Sequence, residues 1–167
     1  KDLWLYMVKS KATSDCCVDI IEKWWGDNHK SAEGIIKKLV INLDNGPHQN
    51  SRRTQFMKRM QNFSNETGLI VDLAYYPPYH SKYNPIERTF SSLEKHWSGE
   101  ILSEESVVVG FAKTMRWANK SPEVEVINKV YEHGVKLSKK EMDELDKGFN
   151  RKAGIEKWFV QITPRAG

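Results

Sequence analysis

Cysteine is almost missing from this chain: there are two, Cys16 and Cys17, side by side. Adjacent cysteines rarely bridge one another, and no second pair or Cys-x-x-Cys is present, so neither a disulfide framework nor a zinc site is supported. This usage fits a reducing cytosolic setting. Long apolar runs are missing as well. Nothing approaches the roughly 20 residues a membrane helix needs, and the opening KDLWLYMVKS is not a signal peptide. A Gly-rich phosphate loop, a GxSxG elbow and an HExxH pair are all absent, which removes kinase, dinucleotide-binding, serine-hydrolase and zinc-protease readings. There are no repeats, low-complexity tracts or long linkers.

What is present is globular. Of 167 residues, 39% are hydrophobic and 29% charged, a balance that suits one ordinary core rather than a disordered chain. The net charge of +4 permits a polyanionic partner without demanding one. The chain begins at Lys1 rather than at a methionine, which leads us to expect a longer parent.

Residues 3–8 (LWLYMV) read as a strand buried on both faces. Thr13 or Ser14 caps a helix with Cys17, Ile20, Ile21, Trp24 and Trp25 inward, the tryptophans as core packing, and Gly26 opens a polar loop. Residues 38–44 (KLVINLD) are near-continuously apolar, as a central strand covered on both sides would be. Asn45-Gly46-Pro47 ends it. A second helix opens at Asn50 or Ser51, with Phe56, Met60 and Phe63 inside and Arg52, Arg53, Lys58 and Arg59 outside. Residues 68–76 form a third strand, and residues 84–97 a third helix with Ile86, Phe90, Leu93 and Trp97 along one face. This alternation implies an α/β sheet with parallel neighbours. Further on come a helix over 103–119 with Val107, Val108, Phe111, Met115 and Ala118 inward, and a strand over 124–131. A helix over 138–145 opens on the capping box Ser138…Glu141, and a terminal strand covers 158–163.

Chemistry gathers at two strand ends. Asp44 ends the second strand, and Glu87 opens the helix after Pro77-Pro78 and a polar loop. Carboxylates at the carboxyl edge of an α/β sheet are suited to hard divalent cations. Each has a plainer reading: Asp before Asn-Gly is ordinary turn chemistry, and Asn84-Pro85-Ile86-Glu87 is a good helix start in which Glu87 caps. Around them stand His48, Asn50, Tyr79, His80, Ser81, Lys82 and Tyr83, a polar cleft, with Arg52, Arg53 and Arg88 placed to meet phosphates.

Asp44-Asn45 followed by His48 and Asn50, then YYPPYHSKYNPIE and a helix carrying Trp97, closely resembles the catalytic domain of DDE transposases. The prokaryotic insertion-sequence enzymes allied to the mariner group are the most similar. The resemblance spans residues 3–97 and, through KATSDCCVDIIEKWW, SEESVVVGFAKTM and LSKKEMDELD, extends more loosely to about residue 145. It implies a ribonuclease-H-like mixed sheet flanked by helices, here lacking its first strands, with residues 1–99 as a partial catalytic core and 100–167 as a small α+β extension packed on it. Asp44 would be the second acid and Glu87 the third, holding two Mg2+ or Mn2+ ions. Asn45, His48, Asn50, Arg52, Arg53, His80, Ser81, Lys82 and Arg88 would contact DNA, the transposon ends and target. A homo-oligomer and a cytoplasmic, nucleoid-associated protein with no membrane partner are implied too. The family's first acid has no counterpart: Asp2 is misplaced, and Asp15 and Asp19 sit on a helix. A fragment inactive alone is therefore expected. The alternatives are a non-catalytic nucleic-acid-binding remnant, a metal-dependent nuclease of the same fold, or an interaction scaffold in which Glu87 only caps.

Overall fold

The computed structural model describes residues 2–77, 85–98 and 104–165. Its elements are β1 (Trp4–Val8), α1 (Ser14–His29), β2 (Lys38–Leu43), α2 (Thr54–Thr67), β3 (Ile70–Tyr75), α3 (Pro85–Trp97), α4 (Glu105–Thr114), β4 (Glu123–Ile127), α5 (Lys139–Asp146), β5 (Phe149–Arg151) and β6 (Phe159–Ile162). The fold is α/β, with five helices and two sheets, one of them mixed, among the described residues, consistent with a ribonuclease-H-like domain. No described helix is long and apolar enough to cross a membrane. The chain forms two compact units that interleave along it, Lys1–Lys11 with Tyr79–Val130, and Ala12–Pro78 with Tyr131–Gly167. Residues after 100 contribute to both.

The larger unit holds a four-stranded sheet in the order β2-β3-β6-β5. β2 and β3 run parallel, from Lys38 opposite Ile70 to Leu43 opposite Tyr75, while β6 is antiparallel to β3 and to β5. α2, the connection between β2 and β3, buries Phe56, Met57, Met60 and Phe63 against Val71, Leu73, Val160 and Ile162. Each such side chain withdrawn from water contributes roughly 1.5–3 kcal/mol before conformational entropy is subtracted. α2 ends as helices often do, on a left-handed glycine, Gly68 at φ 70°, whose amide donates to Ser64 O at 2.9 Å. α1 lies on the same core through Val18 and Trp25, the latter edge-on to Phe63. Thr13 caps α1 by accepting from Cys16 N, and the helix runs through Gly26 to His29 instead of stopping there.

Two strands differ from expectation. β2 is an edge strand whose exposure alternates, so Lys38, Val40 and Asn42 face outward; Val40 is 55% exposed. An apolar residue on the open face made it read as covered on both sides. β1 is not a member of this sheet. It pairs in parallel with β4 alone, Trp4 opposite Glu123, and is half-buried throughout.

In that smaller unit Leu93, Ala112 and Met115 form a core with Leu3, Leu5, Met7, Trp97, Trp117 and Val124 around it. α3 turns Leu93 inward, whereas Ile86 and Phe90 are exposed, so the inner face is narrower than the spacing suggested. α4 stops at Thr114, short of Asn119, because Trp117 and Lys120 close a tight turn through Ala118 and Asn119.

Candidate functional site

Asp44 stands one residue beyond β2, exposed to solvent, at the carboxyl end of the β2–β3 pair. The loop that follows is tied down from several directions. Ser14 on α1 donates to the His48 carbonyl at 2.6 Å, and Tyr75 at the end of β3 donates its hydroxyl to the Gln49 carbonyl at 2.9 Å. Buried Ser51 donates to Lys157 O at 3.1 Å and receives Arg151 on its own carbonyl. Asn50 is used inside the loop, its amide donating to Gly46 O and its oxygen accepting from Arg52 N. Arg53 Nε donates to the Pro47 carbonyl. Asn45 and Arg52 are exposed and His48 half-buried.

Within this frame the Gln49 side-chain amide donates to Asp44 Oδ1, fixing the direction of the carboxylate. The same oxygens fold over Gly46, where an added Cβ would lie 3.3 Å from Oδ1. Burial pushes the Tyr75 phenol well above its ordinary range, against a smaller opposing pull from Arg151, so it remains the donor that Gln49 needs. Burial also pushes the Cys17 thiol up to about 11, with the charges of Cys16 and Asp44 adding to the shift. At Asp44 the donor is a hard carboxylate oxygen, which suits Mg2+ or Mn2+.

Glu87 lies in the other unit, in the first turn of α3, where a negative charge is favoured by the helix dipole. It is exposed and shares a shallow cleft of about 610 Å3 with Arg88, Ser91, Ser92 and Lys95 along the outer face of α3. Asn84, the expected cap partner, and the candidates His80, Ser81 and Lys82 lie outside the described residues. Among the described residues no three His, Cys, Asp or Glu side chains gather as a metal cluster.

Of the expected DNA contacts, the structure thus brings Asn45, His48, Asn50, Arg52 and Arg53 onto one loop beside Asp44, and Arg88 beside Glu87. Gln49 and Tyr75 escaped sequence reasoning. Gln49 sits between two residues singled out for their chemistry, but only the fold shows that its amide turns back to residue 44. Arg59, expected outside, bonds three carboxylates of α1: Asp15 at 2.9 Å, Asp19 at 2.7 Å and Glu22 at 3.0 Å.

No curated protein and no solved structure matches this chain. A family model described as the Rhodopirellula transposase DDE domain matches residues 1–164, which takes in every strand and helix of both units. The chain therefore belongs to that family, the DDE transposase domain of an insertion sequence.

Proposed function

We propose that this chain carries part of the catalytic centre for DNA strand cleavage and strand transfer, with Asp44 and Glu87 as ligands of a shared divalent-metal site. Membership of a DDE transposase family supports a role in transposition. The observation that supports Asp44 is its exposed carboxylate at a strand's carboxyl end, aimed by Gln49 within a loop anchored to α1 and β3. Metal ions bound there, Mg2+ or Mn2+, would supply Lewis-acid polarisation of a phosphodiester and an activated oxygen nucleophile.

The protein's own part is placement. Asp44 and Glu87 would hold the ions by carboxylate oxygens, and Gln49 keeps one Asp44 oxygen turned toward its own amide. Arg52, Arg53 and Arg88 meet non-bridging phosphate oxygens. Asn45, His48 and Asn50 would contact the DNA, with His80, Ser81 and Lys82 as further proposed contacts. DNA ends are the substrate, and a second copy of the protein brings the paired ends together.

The test is cleavage of transposon-end DNA by the transposase carrying this domain, with and without Mg2+. Asp44→Asn and Glu87→Gln should each lower the rate by on the order of 10³-fold or more, with DNA still bound. Gln49→Ala should cost a smaller ~10–100-fold, as outer partners of metal ligands do. Cleavage that survives both acid substitutions would reject the assignment. Hydrolysis with no joining of the transposon's 3′-hydroxyl end to a target phosphodiester would favour a nuclease.

A further inference from the structure

Beside the Asp44 loop the larger unit has a cleft of about 570 Å3. Three segments distant in sequence wall it: residues 13–15 where α1 begins, residues 52–55 where α2 begins, and residues 132–137 arriving from β4, with His48 at the rim. The third wall is fastened at both ends. Tyr131, buried, donates to Asp19 at 3.1 Å, and Leu137 N donates to Thr54 Oγ1 at 2.9 Å. Gly134 turns between them at φ 76°.

The charges of the lining are unequal in their freedom. Arg52 and Arg53 line it from the segment that leads into α2, and Lys136, with His133, from the 132–137 segment, all exposed. Arg53 is already oriented through Nε by the Pro47 carbonyl. The carboxylates are Asp15 and Glu132. Asp15 is taken by Arg59 at 2.9 Å and by Gln55 at 2.8 Å, so its charge is answered inside the protein, and Glu132 alone remains exposed. The first turn of α2 faces this space with no acidic residue and no side-chain cap, which adds the positive end of its dipole. Only Val135 and Leu137 are large apolar linings, too few to hold an apolar ligand. Guanidinium groups and an ammonium lining one open polar cleft suit an oxyanion.

We propose that this cleft seats the phosphodiester backbone of the DNA strand, with Arg52 and Arg53 on one side of the phosphates and His133 and Lys136 on the other. The inference rests on the DNA-handling reading above and adds to it a location and a second wall that the site sequence did not show.

The experiment is binding of a labelled duplex oligonucleotide by this chain in EDTA, followed by fluorescence anisotropy across a salt series, so that cleavage plays no part. Lys136→Glu and Arg52→Glu should each weaken binding at least about tenfold near 0.1 M salt, and Lys136→Gln should lower the salt slope by about one. Lys147→Glu, on the far end of α5 and paired with Glu144, serves as the control and should change little. Circular dichroism confirms folding, and Lys136→Gln, an exposed change, keeps the test valid should Arg52→Glu misfold. Inorganic phosphate should compete only weakly, since the strand engages several cations at once. Wild-type affinity in both Lys136 variants, or equal losses in Lys147→Glu, would overturn the proposal, as would tight binding of inorganic phosphate with DNA affinity indifferent to Lys136. Failure of the cleavage test with the Lys136 losses intact would leave the cleft standing and remove only the catalytic reading.

Discussion

Arg59 reaches from α2 to Asp15, Asp19 and Glu22, which recur at helical spacing along one face of α1. Burial works against its charge, but the bonds to Asp19, Glu22 and Asp15 outweigh that and hold it firmly protonated. One cation set against three carboxylates has nothing left for a phosphate. Arg59→Met should therefore destabilise the fold by about 2 kcal/mol, between an exposed pair and a fully buried one, since three acids lose their common partner. It should barely touch DNA affinity, and urea unfolding alongside anisotropy separates the two. A large loss of DNA binding with unchanged stability would contradict this. The acidic stripe was legible in the sequence. Its partner was not, because a side chain's reach across a helix pair has no sequence spacing.

Cys17 gives a second residue-level test. Its thiol lies at about 11 against an ordinary 9.0, so the folded chain keeps this proton longer than the unfolded one. The stability linked to it is present in full below pH 9 and is lost as pH rises through 11. Alkylation at Cys17, followed by mass spectrometry against pH, should show the high midpoint. Asp44→Asn should bring it down slightly by removing one opposing charge; a midpoint near 9 in the wild type would contradict the burial of this thiol.

At the scale of elements, local chemistry was the most readable part. The Ser138–Glu141 capping box forms as written, with Ser138 N donating to Glu141 Oε2 at 2.8 Å and Glu141 N to Ser138 Oγ at 3.3 Å. Pairing was less readable: β2 and β1 carry similar apolar runs, yet one edges the larger sheet and the other pairs only with β4. A strand's partners depend on contacts far away in sequence, and Val40 shows that an apolar residue need not mark a covered face. The turn after α4 went unread because Ala118 is not a usual residue for the first of two successive positive φ values, 48° and 66°. Ala118→Gly should relieve left-handed strain worth about 1 kcal/mol, raising the urea midpoint slightly. A lower midpoint would show that the turn is not strained.

At the scale of the whole molecule, two compact units interleave, and the C-terminal third supplies β5 and β6 to the larger sheet as well as β4 to the smaller one. The sequence offered no boundary of that kind because neither unit is continuous along the chain. The position of Asp44 at a strand end and of Glu87 in a helix's first turn was legible in the sequence; the placing of Asp44 by Gln49 and Tyr75 was not. The proposed function turns on Asp44 and Glu87 serving the same ions. The most direct test is Mn2+ binding to this chain, read from the electron paramagnetic resonance of the free ion, for the wild type, Asp44→Asn, Glu87→Gln and the double variant. Shared ligation requires non-additivity: either single substitution should remove most of the binding, and the double variant should lose little more. Wild-type binding in either single variant, or losses that add as at two independent sites, would contradict it.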